Sequence, residues 1–320
     1  MPLPAPNQVH AVDVPLSMMS QAIIQSEELY GVSRKVFPVV NVDKQTNKYY
    51  VWDQKDFFRT DAQKRAPGAE SAGSGLRLST DAYSCEVWAS HFDIDHQTLA
   101  NADAGIDLER GAVLKVTRDI LIREDIDWAA TFFVTGVWNS SAGPINGTWD
   151  LTNSTPIEDM RARIYTMAQN TGTPPNTLTL GANTYKRLQD HPDLLDRIKY
   201  TQKGIVTRDL IASVLEVDNC YVLFGVQNTA VEGATTGVFV FNAGNHALLS
   251  YSPGAASLYA ASAGYTFNWT GLYNSSFPLA VSQFPIPQRK ILARVEAETA
   301  FDNKLVASVL GELILTAVAS

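Results

Sequence analysis

The chain has 320 residues, 45% hydrophobic and 18% charged, with 13 Phe, 12 Tyr and 6 Trp. That apolar content is enough for a substantial core and too much for a disordered chain, and the length suits about two domains or one domain with a large insertion. A formal charge of -8, from 25 Lys+Arg against 33 Asp+Glu, argues against a protein whose main work is to clamp phosphate backbones.

Residues 1–15 carry four prolines and little pattern, which predicts an extended arm without the basic and apolar regions of a signal peptide. A short amphipathic stretch follows over 17–30, with Met18, Ala22 and Leu29 among its apolar members. Over 36–88 the text becomes strand-like. Val36-Phe-Pro-Val-Val-Asn-Val42 is a β-rich run, Asp43-Lys-Gln-Thr-Asn47 is turn chemistry, and Lys48-Tyr-Tyr-Val-Trp52 is a second run. Arg65-Ala-Pro-Gly-Ala-Glu-Ser-Ala-Gly-Ser-Gly75 reads as an exposed loop. Strand text returns over 76–88, where Tyr83, Cys85 and Val87 alternate.

This excursion poses a packing problem. On a strand Tyr49 and Val51 face one way while Tyr50 and Trp52 face the other, so both faces are apolar. A long hairpin of that kind is marginal in water unless something covers it. The charges along it balance, so it is not a basic nucleic-acid arm. Two covers are open: the rest of the same chain, or a neighbouring subunit.

The spacing predicts one long helix over 107–133, with Asp107 as N-cap and apolar positions at Ala112, Val113, Val116, Ile120, Leu121 and Ile126. Charges interleave, Glu124 among them, and such a helix would be roughly 40 Å long, a strut across a domain. The Asn-, Gly-, Ser- and Thr-rich text of 139–154 marks a boundary. Thr155, Pro156 and Glu158 then spell a capping box for a helix with Ile157, Met160, Ile164 and Met167 on its stripe. A strand over 177–180, a helix through Tyr185 and Leu188, a helix opened by His191-Pro192, a helix over 207–215 and strands at 220–226, 237–241 and 247–251 make a compact α/β block. Near the end Ile291, Ala293, Val295 and Ala297 alternate with Arg294, Glu296 and Glu298, and a turn is predicted at Asp302-Asn303. Strands beyond the block predict that the chain returns to finish a domain begun before it.

Chemistry-bearing patterns are few. The two cysteines, Cys85 and Cys220, lie far apart and form no CxxC or Cys/His cluster, so they read as small buried apolar residues. No apolar run reaches the roughly 18 residues of a membrane span, which predicts a soluble, cytosolic product. His91-Phe-Asp-Ile-Asp-His96 is the most site-like cluster. His91, Asp93 and Asp95 would share a strand face and are ligand types for a divalent ion, but no further ligand converges, and a solvated strand end running into the long helix is the better reading. Nucleophile and phosphate-cradle motifs are absent, and Gly73-Ser-Gly75 lacks a strand-then-helix context. Triplets at Asn139, Asn146, Asn153, Asn268 and Asn274 match the glycosylation pattern, as Asn/Ser/Thr-rich loops do by chance. No catalytic, cofactor or metal residue is nominated.

The order of arm, two-faced hairpin, strut helix, α/β insertion and returning strands resembles the major capsid proteins of tailed bacteriophages, with their Hong Kong 97-type fold. The text resembles one branch of that family at Phe37-Pro-Val-Val-Asn-Val-Asp-Lys-Gln-Thr-Asn-Lys-Tyr-Tyr-Val-Trp52, Arg65-Ala-Pro-Gly-Ala-Glu-Ser-Ala-Gly73 and Thr98-Leu-Ala-Asn-Ala-Asp103. It does so again at Thr177-Leu-Thr-Leu-Gly-Ala-Asn-Thr-Tyr185, through His191-Pro-Asp-Leu-Leu-Asp-Arg-Ile-Lys-Tyr200 to Gly204-Ile-Val-Thr207.

The resemblance implies an α+β capsid fold with residues 1–35 as N-terminal arm and 36–92 as an extended loop over a neighbour. It makes 93–150 with 285–320 a peripheral domain with a spine helix, and 151–284 an α/β axial domain. It further implies a non-enzymatic shell protein without cofactor, assembling with copies of itself as hexamers and pentamers in a virion built in the host cytoplasm. Portal, scaffolding and cement or decoration proteins are the expected partners, with non-specific contact to packaged double-stranded DNA and no membrane. Scaffolding would be a separate protein, because 35 residues are too few to hold it. Some members weld subunits through a Lys–Asn bond, but nothing singles out Lys44, Lys48, Lys55 or Lys64, so that chemistry is not carried over. Two alternatives stand beside this reading: an encapsulin-like cargo compartment, and a soluble metal-dependent enzyme or glycan-binding protein using the 91–96 cluster.

Overall fold

The computed structural model describes residues 30–52, 60–73, 75, 78–101, 107–139, 148–198, 206–231, 233–256, 261–271, 279–287 and 291–318. The expectations for residues 1–29, for Lys55, and for Asn146 and Asn274 lie outside them.

A single turn, α1 (Ser33–Val36), leads into β1 (Val39–Val42). β2 (Thr46–Trp52) and β3 (Leu78–Ser84) pair as an antiparallel hairpin, and β4 (Glu86–Asp95) runs on into α2 (His96–Asn101). The long helix α3 (Leu108–Phe132) has 25 residues and so spans about 37 Å. It starts where the spacing predicts, with the Arg110 N–H donating to the Asp107 carboxylate at 3.0 Å.

The next block holds α4 (Pro156–Thr171), β5 (Thr177–Gly181), α5 (Ala182–Gln189), α6 (Pro192–Ile198) and α7 (Arg208–Leu215). β6 (Asn219–Leu223), β7 (Val226–Asn228), β8 (Phe239–Phe241) and β9 (Ala247–Ser250) follow. The chain closes with β10 (Gly264–Trp269), β11 (Ala280–Ile286), β12 (Ile291–Leu305) and β13 (Gly311–Ile314).

A five-stranded sheet is organised around β12. One edge of β12 takes β4 antiparallel; the other takes β11 and then β10 end to end, and β1 joins β10 in parallel. The alternation at the start of β12 holds: Ala293, Val295 and Ala297 are buried, while Arg294, Glu296 and Glu298 are partly exposed. Val295 and Ala297 pack with Val113, Val116 and Ile120 of α3, so the spine helix covers this sheet. A second sheet runs β13-β9-β5-β6, and its core gathers Leu178, Leu180, Leu249, Met160, Ile211 and Ile314. Between the two, Trp128 and Phe132 of α3 meet Phe37, Met167, Leu248 and Leu310 in a shared cluster.

Several expectations are corrected. The strand does not turn at Asp302-Asn303, because β10 pairs it through to Leu305 and the Thr266 hydroxyl hydrogen-bonds the Asn303 amide at 2.9 Å. Thr155 makes no side-chain cap; instead Asp193, on α6, accepts from the Ile157 N–H at 3.2 Å and satisfies the helix start from outside. Sheet membership also cuts across the expected divisions. Within 36–92, β1 and β4 belong to the five-stranded sheet, leaving 46–84 as the hairpin excursion. β10 and most of β11, expected in the α/β block, pair with β12, whereas β13, expected with the peripheral part, completes the smaller sheet.

Candidate assembly surfaces

The arm enters the body through a polar clamp on the spine helix. Gly31 adopts φ +70°, a conformation that favours glycine, and its N–H donates to Asp125 Oδ2 at 2.8 Å. The Ser33 N–H donates to Asp125 Oδ1 at 3.0 Å, and Arg34 forks onto Glu124 at 2.5 and 2.6 Å. Glu124 and Asp125 are both buried, while Ile126 is only half-buried. At this turn the buried stripe, which resumes at Trp128 and Phe132, carries an acidic pair rather than the isoleucine. Their spacing, four residues beyond Ile120 and Leu121, was the signal that could have placed them on the buried face.

Burial pushes the Asp125 carboxyl up to about 6, against the opposing effect of the Ser33 and Gly31 N–H groups. The folded state therefore holds this proton more tightly than the unfolded chain, whose carboxyl titrates near 4. The associated stability is present below about pH 4 and is lost as pH rises through about 6. The unfolding free energy of the protein minus that of Asp125→Asn should fall by about 2 kcal/mol between pH 4 and pH 7. Urea titrations across that range measure it, and a flat difference would contradict the burial of the charge.

The hairpin is two-faced as read, but one face is covered by its own chain. Tyr83 stacks on Phe267 with ring centroids 4.5 Å apart, Tyr49 packs on the same ring at 5.2 Å, and the Tyr49 hydroxyl lies 3.1 Å from the Leu305 carbonyl. The cover comes from β10, which joins the hairpin only because the chain returns more than 180 residues later. On the opposite face Thr46, Lys48, Tyr50, Thr80, Ala82 and Ser84 are exposed, and Tyr50 is a large apolar side chain there at 52%. Of the two faces, the one that carries Tyr49 and Tyr83 is therefore covered within the chain.

A second exposed apolar element was read from sequence merely as a strand. β7 and β8 form a two-stranded ribbon in which every residue of β8 is exposed. The ribbon leaves the body between Gly225 and Asn242, whose N–H donates to the Gly225 carbonyl at 3.0 Å. Four consecutive apolar residues, Val238-Phe-Val-Phe241, flanked by small and polar text, were the available signal.

The remaining candidates are structural. His91, Asp93 and Asp95 share the exposed face of β4, but Asp93 holds Arg294 through two bonds of 2.6 and 2.7 Å. Asp95 accepts from the Thr98 N–H at the start of α2, which holds its carboxyl below the usual range. Among the described residues no cluster of three His, Cys, Asp or Glu side chains could hold a metal ion. Cys85 is buried as expected and Cys220 only half-buried, and burial pushes both thiols up to about 12. Asn268 is buried against Asn41, while Asn139 and Asn153 are exposed. Gly73 and Gly75 lie in exposed coil, and Lys44, Lys48 and Lys64 are all solvent-facing.

No protein-family profile matches the chain. Its structure superimposes on a phage-related protein of Bordetella bronchiseptica RB50 with a TM-score of 0.75 at 22% identity, covering 97% of this chain and 99% of that one. Against the mature capsid of bacteriophage PhiM1 the TM-score is 0.54 at 12% identity, covering 88% and 86%. The fold is the Hong Kong 97-type capsid fold, α+β, with the spine helix across its β12-centred sheet. In sequence the chain is similar to the major capsid protein of Burkholderia phage BcepMu, 30% identical over 200 residues, or 59% of this chain. The match spans 62% of that relative's length.

Proposed function

We propose that this chain is the major capsid protein of a tailed double-stranded DNA phage, assembling into the pentamers and hexamers of an icosahedral shell that encloses the genome. The observation that carries the reading is the 30% identity to a phage major capsid protein, in a chain whose fold is that of such shells. Residues 1–35 act as the arm, 36–92 as the loop toward a neighbour, 93–150 with 285–320 as the peripheral domain, and 151–284 as the axial domain, with β10 and β11 crossing to the peripheral sheet and β13 to the axial one. The pairing of β2 with β3 supports an excursion over 46–84 within that loop.

The role is structural and needs no cofactor. Copies of the chain are the main partners, joined by portal, scaffolding and cement proteins, in a virion assembled in the host cytoplasm. Packed DNA touches the inner wall non-specifically, and a net charge of -8 keeps that wall from gripping phosphates. Expressed alone and with scaffolding, the full chain should yield rings or closed particles in the electron microscope. A protein that stays monomeric at high concentration under both conditions overturns the reading.

A further inference from the structure

The β7–β8 ribbon presents apolar side chains on both of its faces. Pairing of Val226 with Phe241 and of Asn228 with Phe239 puts the two phenylalanines on one side. Strand alternation puts Val238 and Val240 on the other. None is buried: Phe239 is 72% exposed, Val238 53%, Val240 46% and Phe241 38%. The ribbon is nonetheless firmly built. The Thr229 N–H donates to the Val238 carbonyl at 2.8 Å, and Asn228 Oδ1 accepts from the Ala230 and Val238 N–H groups at 3.1 and 2.9 Å.

Two apolar faces need two covers. An isologous contact pairs a face with itself and leaves the opposite face in water. A head-to-tail contact, in which the phenylalanine face of one copy meets the valine face of the next, covers both and repeats until the rotation closes. Charge points the same way. Residues 226–241 contain one charged residue, Glu232, so copies converging on a rotation axis bring few like charges together. We infer that the ribbon is the ring-closing contact between copies of this chain, joined in the head-to-tail sense of Phe239 and Phe241 against Val238 and Val240. This rests on the shell reading above, and adds which residues meet and in which direction.

The test uses the full chain carrying Val238→Cys, Phe241→Cys, or both, assembled and then oxidised. The two positions lie on opposite faces and too far apart along a strand for a bridge within one copy. The doubly substituted chain should give a covalent ladder ending at five and six copies, with each single variant remaining monomeric on a denaturing gel. Dimers from a single variant would overturn the head-to-tail sense. Intact particles without cross-links would overturn the ribbon contact while leaving the shell reading in place. Failure of the unsubstituted chain to form rings or particles would overturn the shell reading and the inference with it. As a second arm, Phe239→Ser with Val240→Ser should lower ring yield at least about tenfold with Tm unchanged, because both side chains lie outside the cores. Unaltered yield would overturn the inference.

Discussion

Phe37→Ala should lower the free energy of unfolding by about 3–5 kcal/mol, the range for truncating a fully buried phenylalanine. Phe37 is fully buried, with its ring 4.9 Å from Phe132 and 5.5 Å from Trp128 between centroids. Those rings sit on the last turns of α3 and are held from the far side by Trp138, whose indole N–H donates to the Phe132 carbonyl at 2.8 Å. The site cannot collapse around an alanine, because the helix is committed to the sheet along its first half and the smaller sheet closes the other side. A urea midpoint shift at unchanged slope measures the loss. A loss below about 1 kcal/mol would mean the cluster repacks and the junction does not depend on the ring.

The second large effect belongs to Arg34. Its guanidinium pairs with Glu124, with side-chain exposures of 13% and 6%. Arg34→Ala leaves Glu124 buried beside a second carboxylate and should cost about 3–5 kcal/mol. Glu124→Ala should cost a similar amount by stranding the cation. The double substitution removes both charges together, so its cost should fall well below the sum of the singles, with a coupling of about 1–3 kcal/mol. Strict additivity in that double-mutant cycle would show that the fork contributes nothing as a pair.

Local signals located most elements. Asp107 capped α3 as read, the period-2 text of 291–298 became the buried and exposed faces of β12, and each α/β helix appeared near its predicted place. The misreadings share one cause, in that the deciding partner lies far along the chain. Thr155 looked like a cap because nothing local announces that Asp193 would arrive at the Ile157 N–H. Asp302 and Asn303 looked like a turn because their strand partners are Phe267 and Thr266. Glu124 stood only as one of the interleaved charges, because its partner, Arg34, lies 90 residues away. The exposure of the β7–β8 ribbon escaped notice for a related reason: an apolar run in a sequence cannot declare that its own fold leaves it uncovered.

β12 is a fifteen-residue strand, paired with β4 along most of one edge and with β11 and β10 in tandem on the other. The foot of the β2–β3 hairpin is tied to its far end, where the Ser84 N–H donates to Asp302 Oδ2 at 2.8 Å and Tyr49 reaches the Leu305 carbonyl. Tension applied to the hairpin along that strand loads many perpendicular backbone bonds at once, in shear. Force directed across the sheet would instead open them one after another. The molecule therefore resists a pull along β12 better than one across it.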